Sequence, residues 1–155
     1  MNQHGRALAS LALGLAIFAA APGWGDVAPP PPPAPTDAMV VSLDSETTIA
    51  GVGVACTGIG GTKDDPKWLA YPVRLEFSNV QREYLIGATV TLADAKGATL
   101  FSATCPGPWL LLKLPNAAPY RVTATMSGGK SSAKPVTVKA PLKGQTRVIL
   151  VFSGA

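Results

Sequence analysis

Residues 88–104 read ATVTLADAKGATLFSAT, and the alternation in this stretch decides the fold. From Thr89 to Ala93 the side chains of Val90 and Leu92 fall on one side of an extended backbone and the threonines on the other. That period of two marks a strand with one buried face. Asp94-Ala95-Lys96-Gly97 is a hairpin turn, combining an acceptor side chain at its start with a residue free to take positive φ at its end. Ala98 to Thr104 is the returning strand.

The same grammar extends outward. Upstream, Val73, Leu75 and Phe77 point one way while Arg74, Glu76 and Ser78 point the other, the signature of a half-buried strand. Thr47 to Ala55 alternates small and β-branched residues and runs into Cys56. Asp65-Pro66 reads as an N-cap followed by a first-turn proline, opening a brief helical turn through Trp68. Downstream, Trp109 to Leu114 is a nearly continuous apolar run suited to a strand buried on both faces, with Trp109 expected as a core anchor. Tyr120, Val122, Ala124 and Met126 alternate with polar residues, a Ser127-Gly128-Gly129-Lys130 turn follows, and Val136, Val138, Val148, Leu150 and Phe152 complete the pattern. About seven short strands at roughly ten-residue spacing, with no competing helical period, predict an all-β sandwich.

This domain occupies residues 40–155 and is preceded by two segments of different character. Residues 1–25 read as a secretory signal. Arg6 and the amino terminus supply positive charge, Ala7 to Ala21 supplies an apolar stretch, and small residues place the cut after Gly23 or Gly25. The stretch is shorter than the ~20 residues a spanning helix needs, although an uncleaved anchor is the alternative. No cysteine lies near the cut, which sets aside lipid modification. Residues 26–39 form a proline-rich linker around APPPPPAP, a run that lacks N–H donors and extends as polyproline II. The expected location is therefore periplasmic or secreted. In such a compartment an isolated pair, Cys56 and Cys105, forms a disulfide, two buried thiols being the alternative.

Residues 88–138, through VTLADAKG, GPWLLLKLP and YRVTAT, resemble the carboxypeptidase regulatory-like domain, a transthyretin-like β-sandwich. The resemblance implies a single sandwich acting as a non-catalytic accessory or binding module. Tyr120 brings a large ring whose hydroxyl needs a partner. Where that family places a glycine-containing pair before the tyrosine, this chain has Pro115-Asn116-Ala117-Ala118-Pro119.

The residues exclude much chemistry. His4 is the one histidine and falls in the signal segment, so the domain has no imidazole for a triad, a neutral-pH base or a metal ligand. Two cysteines cannot build a zinc site alone. Asp64-Asp65 lacks calcium-loop spacing, and Gly58-Ile59-Gly60-Gly61-Thr62-Lys63 does not match a phosphate-binding loop. No cofactor or metal is expected, and no enzymatic activity. Candidate binding loops are Gly58, Gly60 and Gly61 together with Pro106 and Gly107, brought together by the disulfide and flanked by Trp68, Tyr71 and Trp109.

Charge is unevenly distributed. Residues 26–94 carry nine acids against four bases, whereas from residue 95 onward there are eight bases and no acid. Either the strands interleave and these charges cancel, or a basic face meets anionic headgroups, glycan phosphates or an acidic partner. Nucleic acid is not an expected partner outside the cytoplasm. The expected role is a non-enzymatic binding or structural module of the cell envelope, its partner an unknown envelope protein or glycan. The alternatives are a carrier of a small apolar ligand between the sheets and, more remotely, a carboxylate-dependent hydrolase.

Overall fold

A computed structural model describes residues 37–154; the expected signal segment and the linker up to residue 36 lie outside the described residues. Ten strands form two five-stranded sheets: β1 (Met39–Val40), β2 (Ser45–Ile49), β3 (Val52–Thr57), β4 (Val73–Asn79), β5 (Ala88–Ala93), β6 (Thr99–Cys105), β7 (Trp109–Lys113), β8 (Tyr120–Met126), β9 (Val136–Val138) and β10 (Thr146–Phe152). The first sheet runs β1-β6-β5-β8-β9 and the second β10-β4-β7-β3-β2. Their inward faces share one hydrophobic cluster, which makes the domain a β-sandwich. Neighbours are antiparallel except at one edge of each sheet, where β1 joins β6 and β10 joins β4 in parallel. No helix among the described residues is long and apolar enough to cross a membrane.

The strand count exceeds the sequence expectation for a local reason. Thr47 to Ala55 reads as one strand but folds as the β2–β3 hairpin, because Ala50 and Gly51 both take positive φ, 50° and 78°. Two consecutive left-handed residues make the tight turn whose twist matches the flanking strands. Alanine is an uncommon choice for the first of them. The β5–β6 turn follows expectation: Asp94 Oδ1 accepts from the amides of Lys96 and Ala98 at 2.8 and 2.9 Å. Asp65 accepts from Lys67 N at 2.9 Å and caps the short 3-10 turn Pro66–Ala70. Asn116 does the work of the missing glycine before Tyr120. Its Oδ1 accepts from Ala118 N at 2.9 Å and from the Tyr120 hydroxyl at 3.0 Å, closing the turn and giving the buried phenol its partner.

The core is built from the alternation. Val54, Leu75, Phe77, Leu110, Leu112, Leu150 and Phe152 of the second sheet meet Val90, Leu92, Phe101, Ala103, Tyr120 and Val122 of the first. Phe77 and Phe152 pack edge to face with centroids 6.4 Å apart. Cys56 on β3 is joined to Cys105 at the end of β6, so the bond staples one sheet to the other across the core. With a sequence separation of 49 between its ends, the crosslink stabilises the fold by about 4 kcal/mol in chain-entropy terms. Non-reduced protein is expected to show no alkylatable thiol by mass spectrometry, and Cys56→Ala/Cys105→Ala to lower the unfolding free energy by about 4 kcal/mol. A double variant as stable as the parent would contradict the assignment.

A candidate binding face on the second sheet

Strand register sets the outer face of the second sheet. Glu76 on β4 lies beside Trp109 on β7 and Ile149 on β10; Arg74 lies beside Leu111 and Arg147. The polar side of β4, expected to face solvent, is instead covered: Glu76 is 1% exposed and Ser78 is buried. The chain after β4 turns back at Asn79, where Asn79 N donates to Glu83 O at 3.0 Å and Leu85 N to Phe77 O at 2.9 Å. That reversal brings Tyr84 over the sheet.

A carboxylate therefore sits under two guanidinium groups and a phenol. Glu76 Oε2 accepts from Arg147 Nη2 at 2.6 Å and from the Tyr84 hydroxyl at 3.0 Å, while Oε1 is 2.9 Å from Arg74 Nε. The last contact is an ion pair whose N–H is not aligned for a hydrogen bond. Arg74 also stacks over Trp109, its Cζ 4.6 Å from the ring, and Tyr84 meets the same indole edge to face at 6.3 Å. Three buried polar atoms without a hydrogen-bond partner among the described residues, Arg74 Nε, Glu76 Oε1 and Trp109 Nε1, all belong to this cluster. Native folds leave few such atoms, and they gather where function makes demands.

Trp109 is not the core anchor that its position in WLLLKL suggests. Leu110 and Leu112 point into the sandwich, so Trp109 and Leu111 point out. Leu111 joins Ala55, Trp68 and Tyr71 in a second apolar cluster beside the 3-10 turns Gly61–Asp64 and Pro66–Ala70, so β7 is buried on both faces as its composition implies. In this cluster the Trp68 indole donates to Thr62 O at 2.7 Å, and Lys67 lies over its ring at 4.2 Å. Tyr71 donates to Glu46 at 2.9 Å; burial, then that hydrogen bond and charge, push the phenol up to about 12. The Gln145 amide donates to Trp68 O and Tyr71 O, at 3.1 and 2.8 Å, tying the entry of β10 to this cover.

A cleft of about 290 Å³ lies on this face between Glu46, Thr48, Gly53, Tyr71 and Lys113, and two more open beside the Glu76 cluster. Of these two, one, of about 580 Å³, is lined by Glu76, Ser78, Tyr84 and Arg147 with the apolar Val80, Ile149 and Val151. The other, of about 270 Å³, lies between Trp68, Leu69, Arg74 and Trp109, with Lys63, Asp64 and Asp65 at its polar side. The three exposed aliphatic residues of the larger cleft and the half-exposed Tyr84 make it an amphipathic groove, with Arg82 and Arg147 as donors along it.

The loops singled out from sequence do meet around the disulfide, but as packing. Gly107 N donates to Cys56 Sγ at 3.3 Å, and a Cβ at Gly107 would strike the Thr57 carbonyl. A Cβ at Gly58 would come within 2.8 Å of Pro108 and Trp109. Pro106, Gly60 and Gly61 are exposed, and nothing lies near the α-carbons of the last two. Asp64 pairs with Lys63 at 2.6 Å. Among the described residues no group of three His, Cys, Asp or Glu could hold a metal ion. What the sequence reading missed was the Glu76 cluster; its one signal was an Arg-x-Glu on β4 whose neighbours supply a second arginine and two aromatics.

No protein-family model matches the chain, and no curated protein matches it.

Because the indole is only half-buried, Trp109→Ala is expected to cost about 1–2 kcal/mol in a urea titration, and Leu110→Ala about 3–4 kcal/mol. A tryptophan variant that loses more stability than the leucine variant would return Trp109 to the core.

Proposed function

We propose that the chain is a non-enzymatic β-sandwich module of the cell envelope, periplasmic or secreted, that binds an envelope protein or glycan through the outer face of its second sheet. The observation that carries this reading is the concentration of buried polar atoms without a hydrogen-bond partner, arginine donors and exposed aromatic and aliphatic groups around Glu76. Recognition surfaces are enriched in tyrosine, tryptophan and arginine set on rigid scaffolds, and this face has all three on one sheet.

Export is supported by the inter-sheet disulfide, a bond that persists in oxidising compartments, together with the signal-like residues 1–25. Kinship with carboxypeptidase regulatory-like domains is supported by the Asp94 hairpin and by Tyr120, whose hydroxyl finds a local partner. A binding role is favoured over hydrolysis because Glu76 is the one carboxylate lining its cleft, with two cations beside it, while in the smaller cleft Asp64 is paired with Lys63 and Asp65 is engaged in capping its turn. Surface binding is favoured over carriage between the sheets because both clefts beside the Glu76 cluster are lined by outward-facing residues, while the inward residues fill the core.

The test is capture from envelope extract by the immobilised protein, with Tyr84→Ala and Arg147→Ala as probes of the groove. Both side chains are about half exposed; Tyr84→Ala is expected to shift the melt by no more than a few degrees, and Arg147→Ala, which takes one cation from the buried Glu76, by more, so retention is measured well below both melts. Retention of the captured species is expected to fall at least ~tenfold in each. Undiminished retention by both variants would remove the groove from the interface.

A further inference from the structure

The basic half of the chain does not cancel against the acidic half. Of the four ion pairs among the described residues, one crosses between the halves, Arg147 to Glu76. Arg121, Lys130, Lys134, Lys139 and Lys143 lie on β8, β9 and the segments that follow them, all exposed and in none of these ion pairs. β9 is the edge of the first sheet, so no further strand brings acids alongside. The nearest carboxylate on that sheet is Asp94, beside Arg121 at the end of β5, and it is engaged in its own turn.

An apolar side chain stands within this basic rim. Leu142, between Pro141 and Lys143 in the β9–β10 connection, is 99% exposed. Its loop is held: Gln145 is bonded to Trp68 O and Tyr71 O, and Thr146 N donates to Pro72 O at 2.7 Å. Leu69, on the 3-10 turn across that joint, is 71% exposed. The acids at this end, Asp64 and Glu46, each have a lysine, and Asp65 caps its turn. Lys139 and Lys143 have none of them.

We propose that the Lys139–Gln145 loop and the adjoining β9 edge form a contact surface for an anionic lipid bilayer, with Leu142 entering the headgroup layer and Lys139 and Lys143 pairing with lipid phosphates. A bilayer fits better than an acidic protein because the most exposed large apolar side chain of the described residues stands in the same loop as two exposed lysines, a combination that suits an interface apolar within and anionic at its rim. Lys130 and Lys134 lie farther along the edge and act through the screened field, which falls off over about 10 Å at 0.1 M salt. The surface is separate from the Glu76 groove.

The test is co-sedimentation of the purified chain with vesicles of phosphatidylcholine alone or with about 30% phosphatidylglycerol. Partition to the anionic vesicles alone is expected, weakening as salt rises. Lys139→Gln and Lys143→Gln are each expected to weaken it about fivefold. Leu142→Ser is expected to weaken it with the salt dependence unchanged, and Arg147→Ala to leave it intact. Because every variant shares the same amino terminus, any contribution from the first residues is common to all. No partition to anionic vesicles, or partition indifferent to Leu142 and both lysines, would overturn the proposal. Equal binding to soluble polyphosphate with no dependence on Leu142 would assign the surface to an acidic polymer instead.

Discussion

The outer face of the second sheet depends on one carboxylate. β10 joins the sheet in parallel with β4, and the register sets Arg147 directly beside Arg74, two like charges on adjacent strands. Such a pair weakens a sheet unless something stands between the charges. Glu76, two residues along β4 on the same face, is in contact with both guanidinium groups. A buried acid without those cations would be costly, and the cations without the acid would repel. Each makes the other tolerable. Trp109 and Tyr84 then close over the site, one stacked on Arg74 and the other bonded to the carboxylate.

Scaffold and surface are assigned to different parts of the molecule. The inter-sheet disulfide and the glycines that pack against it hold the β3–β7 end, where added side chains would collide. The outer face of the first sheet is covered by hydroxyls that satisfy one another, Thr89 with Thr104 and Thr91 with Ser102, both at 2.7 Å. Those hydroxyls are paired, in contrast to the second sheet, where the buried atoms without a hydrogen-bond partner gather. Of the residues first suggested as binding elements, Gly58 and Gly107 are packed parts of the scaffold, while Pro106, Gly60 and Gly61 are exposed.

How much of this was legible in the sequence follows from the range of each signal. Alternation within a strand is local, so Val90, Leu92, Val73, Leu75 and Phe77 could be placed inward from sequence, as could the Asp94 hairpin and the Asp65 cap. The Ala50-Gly51 turn was not legible, because alanine gives no warning of a left-handed conformation. The orientation of Trp109 was not legible either. In a run apolar on both sides, alternation cannot say which face is the interior, and a tryptophan looks like core until its neighbours are known. The burial of Glu76 depends on Arg147, 71 residues away, and on a chain reversal at Asn79; no local pattern reports such a meeting. The segregation of charge was visible as counts, but which strands would lie side by side was not.

The central claim is that Glu76 and Arg147 act as one unit in fixing the outer face. A double-mutant cycle of unfolding free energies with Glu76→Gln and Arg147→Ala measures that directly. The account predicts that the two losses fail to add by about 1 kcal/mol or more, since either substitution removes the same interaction. Additivity within about 0.5 kcal/mol would show that carboxylate and guanidinium are neighbours without being coupled, and would contradict it.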